Sequence, residues 1–456
     1  MFPTNRRSTV RALRLSSRFG VALLLAFPWP CWLEAQQTTR PIVPRLRLGD
    51  VYRSLESGSP RLEAARQLVL AAEARITPAR RPPDPQLQLG LMNRMLPGLG
   101  LQDPLGMNQI QLMQMIPTAG KLGLAGRVAE AQAAATTERA EDLRWELRSR
   151  AAMAFYDLYR TDHSLSVAVE TQRLLRDVAK TAETMYAVGQ GRQPDVLRAQ
   201  VELARMSEEI TRMRTMRVAM TARLNALLDQ PQETVVASPV LPAFPAGLPP
   251  LDSLERLALA GRPMLRAGEQ DLRAAESARR LARREIWPDL QLGVVYGQRP
   301  MDVGTERMMS FMLGFTLPVF AGGRQLKMRQ ETEAMQRMAA ADLQAMRAET
   351  GGRVAELYAD VVRARNLGRL YRATILPQSD ATVASAVAAY RVGGVDFMTL
   401  LDARMTVNNY QQDLYQLEAE EGKALAELEM LVGQELLDPD AAWQEAARGV
   451  TSDNRE

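Results

Sequence analysis

The sequence predicts a mainly α-helical protein with a small β part, built as two copies of one unit in which two short strands introduce a long helical hairpin. Composition is the first observation behind this. Aromatic residues are only 5% of the chain while Ala, Leu, Arg, Glu and Gln dominate, which suits long helices better than an all-β body. The second is an internal repeat. Pro60-Arg61-Leu62 returns as Pro263-Met264-Leu265, Ala71-Ala72-Glu73 as Ala274-Ala275-Glu276, and Leu87-Gln88-Leu89-Gly90 as Leu290-Gln291-Leu292-Gly293, all 203 positions apart. The third is the Gly turn that closes each copy: Tyr186-Ala187-Val188-Gly189 returns as Tyr390-Arg391-Val392-Gly393, at an offset of 204.

Each copy reads in the same order. A helix (near 50–77, then near 252–286) leads to a strand (85–94, 289–297), a Gly/Pro-rich loop and a second strand (107–116, 308–317). After Pro117 and Pro318 a single uninterrupted helix of roughly 70 residues is expected, on the order of 100 Å long. A helix of about 35 residues returns from each Gly turn. The segments expected are a secretory signal peptide (1–35), a first repeat (36–230), a Pro-rich linker (231–251), a second repeat (252–437) and a C-terminal tail (438–456).

The signal peptide is read from Arg6, Arg7, Arg11, Arg14 and Arg18, the apolar run Phe19 to Phe27, and small Ala35 before the cut. Five of the 57 basic residues and one of the 53 acidic residues lie there, leaving 52 of each. The formal charge of +4 thus belongs to the targeting segment, and no basic footprint for nucleic acid remains. The only cysteine, Cys31, sits in that segment after Pro28-Trp29-Pro30, a poor context for lipidation. Without it there is no disulfide framework or thiolate site, and the single His163 cannot build a histidine cluster.

The return helices carry a coiled-coil seam. Val196, Ala199, Leu203, Met206, Ile210 and Met213 continue to Met220, Leu224 and Leu227 at heptad spacing; 204 residues on stand Leu400, Ala403, Val407, Tyr410, Leu414, Leu417, Ala424, Leu428 and Leu431. One seam position is charged in both copies, with opposite sign, as Arg217 and Glu421. It reads either as side chains snorkelling from the stripe edge or as a register-setting contact between the two hairpins.

The strands alternate. Leu290, Leu292, Val294 and Tyr296 oppose Gln291, Gly293, Val295 and Gly297; Met309, Phe311, Leu313 and Phe315 oppose Ser310, Met312 and Gly314. In the first copy Leu87, Leu89 and Leu91 oppose Gln86 and Gln88, with Met92 breaking the order. Segments of about ten residues with one apolar and one polar or small face suit a membrane barrel, with Trp287 as an interfacial anchor. A soluble hairpin half-buried on the helices has the same pattern. Four strands cannot close a barrel, and open edges are not tolerated in lipid, so a membrane reading requires several chains to share one barrel.

In this order and spacing, occurring twice, the strand pairs and the turns Tyr186-x-Val-Gly189…Asp195-Val-Leu-x-Ala199 and Tyr390-x-Val-Gly393…Leu401-Asp-Ala403 resemble the TolC-type outer membrane efflux proteins over nearly the whole mature chain. The resemblance implies a homotrimer whose twelve strands, four from each chain, form one transmembrane β-barrel in outer-membrane lipid. It implies a periplasmic tunnel of helices (an α-barrel with coiled-coil packing), and a tip that meets a periplasmic adaptor (membrane fusion protein) and, through it, an inner-membrane transporter. Tyr186, Val188, Gly189 and Asp195, with Tyr390, Val392, Gly393 and Asp396, are the implied tip and adaptor-contact residues. Asp402 matches a position of the family's acidic, cation-favouring ring. Thr399 stands where the archetype has another aspartate, for which Asp396 could substitute, and Val395 where it has an arginine. Ile116-Pro-Thr-Ala-Gly-Lys121 is similar to the heavy-metal efflux branch. Of the 24 methionines, Met92, Met95, Met107, Met113, Met115, Met301, Met308, Met309 and Met312 crowd the strand and loop regions, where they read either as soft thioether ligands for Cu(I) or as adaptable filler, as Met206, Met213 and Met220 are in the seam.

No nucleophile–base constellation, phosphate loop or metal-ligand cluster argues for an enzyme or a cofactor. The alternative is a periplasmic coiled-coil adaptor or scaffold without a membrane barrel. Adaptors carry one hairpin framed by β-rich domains, whereas this chain has two, each introduced by strands.

Overall fold

The computed structural model describes residues 45–92, 106–301 and 303–438. The signal-peptide reading, Cys31, Met95 and the tail beyond Asp438 lie outside the described residues. The first copy comprises β1 (Arg45–Leu46), α1 (Leu48–Gly58), α2 (Pro60–Ala74), α3 (Ile76–Ala79), β2 (Gln86–Met92), β3 (Met107–Ile116), α4 (Lys121–Ala187) and α5 (Gln193–Leu227). After β4 (Ser238–Pro239) the second copy follows as α6 (Leu251–Gly261), α7 (Pro263–Arg284), β5 (Leu290–Pro300), β6 (Thr305–Phe315), α8 (Gln325–Leu370), a π-turn (Tyr371–Ile375), α9 (Leu376–Arg391) and α10 (Phe397–Val432).

Two expectations need correction. Each entry helix is broken, at Ser59 and at Arg262. Both residues precede a proline, whose ring disfavours the α region, and both are extended (ψ 115° and 118°). Pro60 and Pro263 then open α2 and α7 at first-turn positions, where no N–H is needed. The second long helix is interrupted as well. Pro377 lacks an N–H and crowds the preceding turn, and the chain passes it through the π-turn. The 46, 5 and 16 residues of α8, the π-turn and α9 nonetheless equal the 67 of α4, so both hairpins reach equally far.

The core repeats with the sequence. In the first copy Leu48, Val51, Tyr52 and Leu55 of α1 close over Phe155, Tyr156 and Leu224; in the second, Leu254 and Ala258 of α6 close over Val354, Val361 and Leu428. Helix α4 packs on α5, α7 and α10, and α8 packs on α7 and α10. The seam charges do not meet each other. Arg217 Nε donates to Asp162 on α4 at 2.6 Å, and Arg365 Nε on α8 donates to Glu421 at 2.9 Å. Asp162 and Arg365 are 203 residues apart, so one ion pair recurs with its polarity reversed, each tying a return helix to its own outgoing helix. The contact between Arg217 and Glu421 is not formed, because each charge is taken by an opposite charge on the outgoing helix of its own hairpin.

Buried Glu429 fastens the end of α10 by accepting from the Leu436 and Leu437 N–H groups at 2.8 Å each. Burial outweighs these bonds and pushes its carboxyl up to about 7. With the folded value above the unfolded one, stability present below about pH 4.5 is lost as pH rises through 7. Glu429→Gln keeps the acceptor and removes the charge. It is expected to match the parent in thermal unfolding at pH 4 and to exceed it at pH 8 by on the order of 3 kcal/mol; equal stability at both pH values would contradict this.

The four longer strands form an antiparallel sheet in the order β2-β3-β5-β6, leaving β2 and β6 as edges. The register aligns Leu87, Leu112, Val294 and Phe311 across it, and beside them Leu89, Ile110, Tyr296 and Met309, making one face apolar and exposed. The other face carries Gln88, Gln111 and Ser310. Met92 keeps the alternation: it shares that second face with Gln86, Gln88 and Gly90. Trp287 is exposed where β5 begins, and its carbonyl accepts from the buried Lys121 ammonium, which also binds Asp289 at 2.9 Å. Among the described residues no helix is long and apolar enough to cross a membrane.

Candidate gate at the hairpin tips

Both hairpins end in a glycine with positive φ, 77° at Gly189 and 72° at Gly393, a conformation cheap only without a Cβ. Backbone donors then satisfy the carbonyls left at the helix ends. Gln190 and Gly191 N–H donate to Met185 O at 2.8 and 2.9 Å, while Gly394 N–H donates to Ala389 O at 2.8 Å. Gly191, which the sequence reading passed over, is equally constrained: a Cβ there would lie 2.8 Å from the Tyr186 nitrogen. Its signal was the Gly-Gln-Gly triplet.

The two return helices start differently. Asp396 is the N-cap of α10, accepting from Thr399 N–H at 2.9 Å and from its hydroxyl at 2.5 Å. These bonds hold its carboxyl below the usual range. Thr399, which stands in place of an expected aspartate, is thus the cap's partner, and Asp396 is committed to the helix end. In the first copy Arg192 occupies the cap position and Asp195 lies in the first turn.

The tips of one chain pack together through Leu175, Ala179, Ala199, Phe397, Leu400 and Leu401. The paired tyrosines part company here. Tyr390 is 7% exposed and meets Phe397 edge to face at 6.0 Å, whereas Tyr186 is 49% exposed. Burial, and then the charge of Asp195 from the other hairpin, push the Tyr390 phenol up. Phe397 was missed because it precedes the seam. Val188 and Val392 project from the turns, both largely exposed. Asp402 lies on α10 with an exposed side chain.

Between the hairpins, Asp177, Tyr390, Arg391 and Arg404 line a cleft of about 240 Å³. Arg404 is half-buried, and that desolvation lowers its pKa. His163 is packed away from the tips against Tyr159 and stacked on Tyr415 at 4.5 Å, and burial lowers its pKa. Among the described residues no cluster of three or more His, Cys, Asp or Glu is placed to hold a metal ion.

Comparison with curated proteins gives no match. Among solved structures the chain is similar to CusC (18% identity, TM-score 0.72, covering 85% of this chain and 92% of that one). It is also similar to the outer-membrane channel OprN (21%, 0.71, 85% and 89%) and to the outer membrane protein VceC of Vibrio cholerae (17%, 0.72, 85% and 96%). At these identities the likeness is one of fold. The sequence pattern of the outer membrane efflux proteins matches residues 51–230 and 254–434, one match to each copy and together well over half the chain. The chain therefore belongs to the outer membrane efflux protein family and is an efflux channel of the outer membrane.

Proposed function

We propose that the protein is the passive outer-membrane conduit of a tripartite efflux system, receiving substrates from an inner-membrane transporter through a periplasmic adaptor. The observation that carries this is the pairing of an apolar, exposed sheet face having two open edges with two helical hairpins of equal reach. Lipid tolerates no open edge, so the sheet must be completed by other copies of the chain, and three copies supply twelve strands. The helices then form a periplasmic tunnel. Val188, Gly189 and Asp195, with Val392, Gly393 and Asp396, present the adaptor-binding turns; Tyr390 and Tyr186 flank them. A signal peptide ending at residue 35 accounts for export. Fractionation tests the reading: heat-modifiable trimers in the outer membrane support it, and a soluble periplasmic monomer defeats it.

Exposed Asp402 supports a cation gate, because three carboxylates around a narrow pore focus field and repel one another. Asp402→Asn is expected to weaken block by multivalent cations about tenfold, or roughly 1.4 kcal/mol, in planar bilayers. Unchanged block and ion selectivity would remove Asp402 from the gate. A narrower reading, that the cargo includes soft metal ions, is favoured by the Ile116–Lys121 segment together with the strand methionines.

A further inference from the structure

The strand methionines are sorted by face. Met92, Met107, Met113, Met115, Met308 and Met312 all lie on the face that carries Gln88, Gln111 and Ser310; Met309 alone lies on the apolar face. Every Leu, Ile and Phe of the four strands is on the apolar face, and the only other aliphatic side chain among the glutamines is Val295. Lipid contact does not explain this, since it would draw methionine to the leucines. Nor does simple filling, for which leucine of similar volume serves equally well. What methionine adds is a soft, polarisable sulfur.

The glycines of β5 bring these side chains together. A Cβ at Gly293 would lie 3.2 Å from Met312 Cε and 3.6 Å from Met113 Cγ, so the two side chains converge over that glycine from the neighbouring strands. Gln111 donates to the Met113 sulfur on the same face. At Gly297 a Cβ would lie 3.0 Å from the sulfur of Met107, whose direct strand partner is Met92. Four residues separate the two glycines, roughly 13 Å along the strand.

We propose that Met113 and Met312, converging over Gly293, form a soft-cation site on the pore wall for Cu(I) or Ag(I), with Met92 and Met107 as a second tier. The proposal rests on the channel reading, which turns this face toward the lumen. Two thioethers without a thiolate or imidazole suit a monovalent soft cation that must bind and then leave, as a conducting pore requires.

The test uses the full-length trimer in detergent and nitrate salts, with methionine methyl groups labelled with carbon-13 and silver nitrate as the titrant. The Met113 and Met312 methyl signals are expected to shift, and Met113→Leu/Met312→Leu to lose one bound Ag(I) per protomer by metal analysis. In bilayers the same variant should keep its sodium nitrate conductance while Ag(I) block weakens about tenfold. Because leucine preserves volume and apolarity, a purely space-filling role predicts no change. Equal Ag(I) uptake by parent and variant, or silent Met113 and Met312 signals, overturns the site. If the leucine variant does not assemble, the parent's methyl shifts decide alone. A parent without sodium nitrate conductance would instead defeat the channel reading, which the methyl shifts do not depend on.

Discussion

Replacing Phe311 with arginine is expected to abolish assembled trimers in the outer membrane, while Ser310→Arg next to it leaves them intact. Phe311 lies on β6 and is 78% exposed. Its neighbours across the sheet, Val294, Leu112 and Leu87, make it the end of an apolar row. Ser310 points to the opposite face, in line with Val295, Gln111 and Gln88. An arginine facing the middle of a bilayer costs about 2–4 kcal/mol on a barrel strand, and a trimer bears it three times. Were the sheet soluble, an exposed Phe→Arg change would stay within about 0.5 kcal/mol, so the two environments predict different outcomes. Unheated gel mobility of membrane fractions reads the result. Normal amounts of Phe311→Arg trimer would rule out lipid on this face.

Much of this was legible because the chain states everything twice. Leu87-Gln88-Leu89-Gly90 and its copy at Leu290 located the strands, observed as Gln86–Met92 and Leu290–Pro300, since alternation is a backbone property. Prolines were the weak point. The breaks at Pro60, Pro263 and Pro377 were written in the sequence as prolines, yet the expected helices were drawn straight through all three. At the tips the two Gly turns could be read from residue type, because positive φ selects glycine. What could not be read was which tyrosine is buried. Tyr186 and Tyr390 occupy matching positions, but Tyr390 meets Phe397 of its own hairpin, where the first copy has Gln193, and only the packing of the two hairpins brings it toward Asp195. The partners of Arg217 and Glu421 were hidden for a related reason: a seam gives the facing side, and the identity of the helix on that side is a tertiary fact.

The duplication also sets up an internal control at Gly58 and Gly261, which end α1 and α6 at matching positions, 203 residues apart. A Cβ on Gly261 would lie 2.3 Å from the Val432 carbonyl oxygen, and one on Gly433 would lie 2.7 Å from the Gly261 oxygen. The ends of α6 and α10 thus cross backbone to backbone, and Gly433 also needs its φ of 70° to terminate α10. No side chain can rotate away there, so Gly261→Ala must separate two helices packed over Leu254, Leu428 and Leu431. Overpacking costs about 1–3 kcal/mol, and a clash with backbone on both sides puts this site at the upper end. At Gly58 the nearest atom to a Cβ is Leu228 O at 3.9 Å, an ordinary contact, and alanine favours helix by up to about 1 kcal/mol. The thermal unfolding midpoint of the purified protein should therefore fall by several degrees in Gly261→Ala and stay level or rise slightly in Gly58→Ala. Equal shifts in the two variants would mean that the α6–α10 crossing is looser than its geometry indicates, because the local helix effect is common to both.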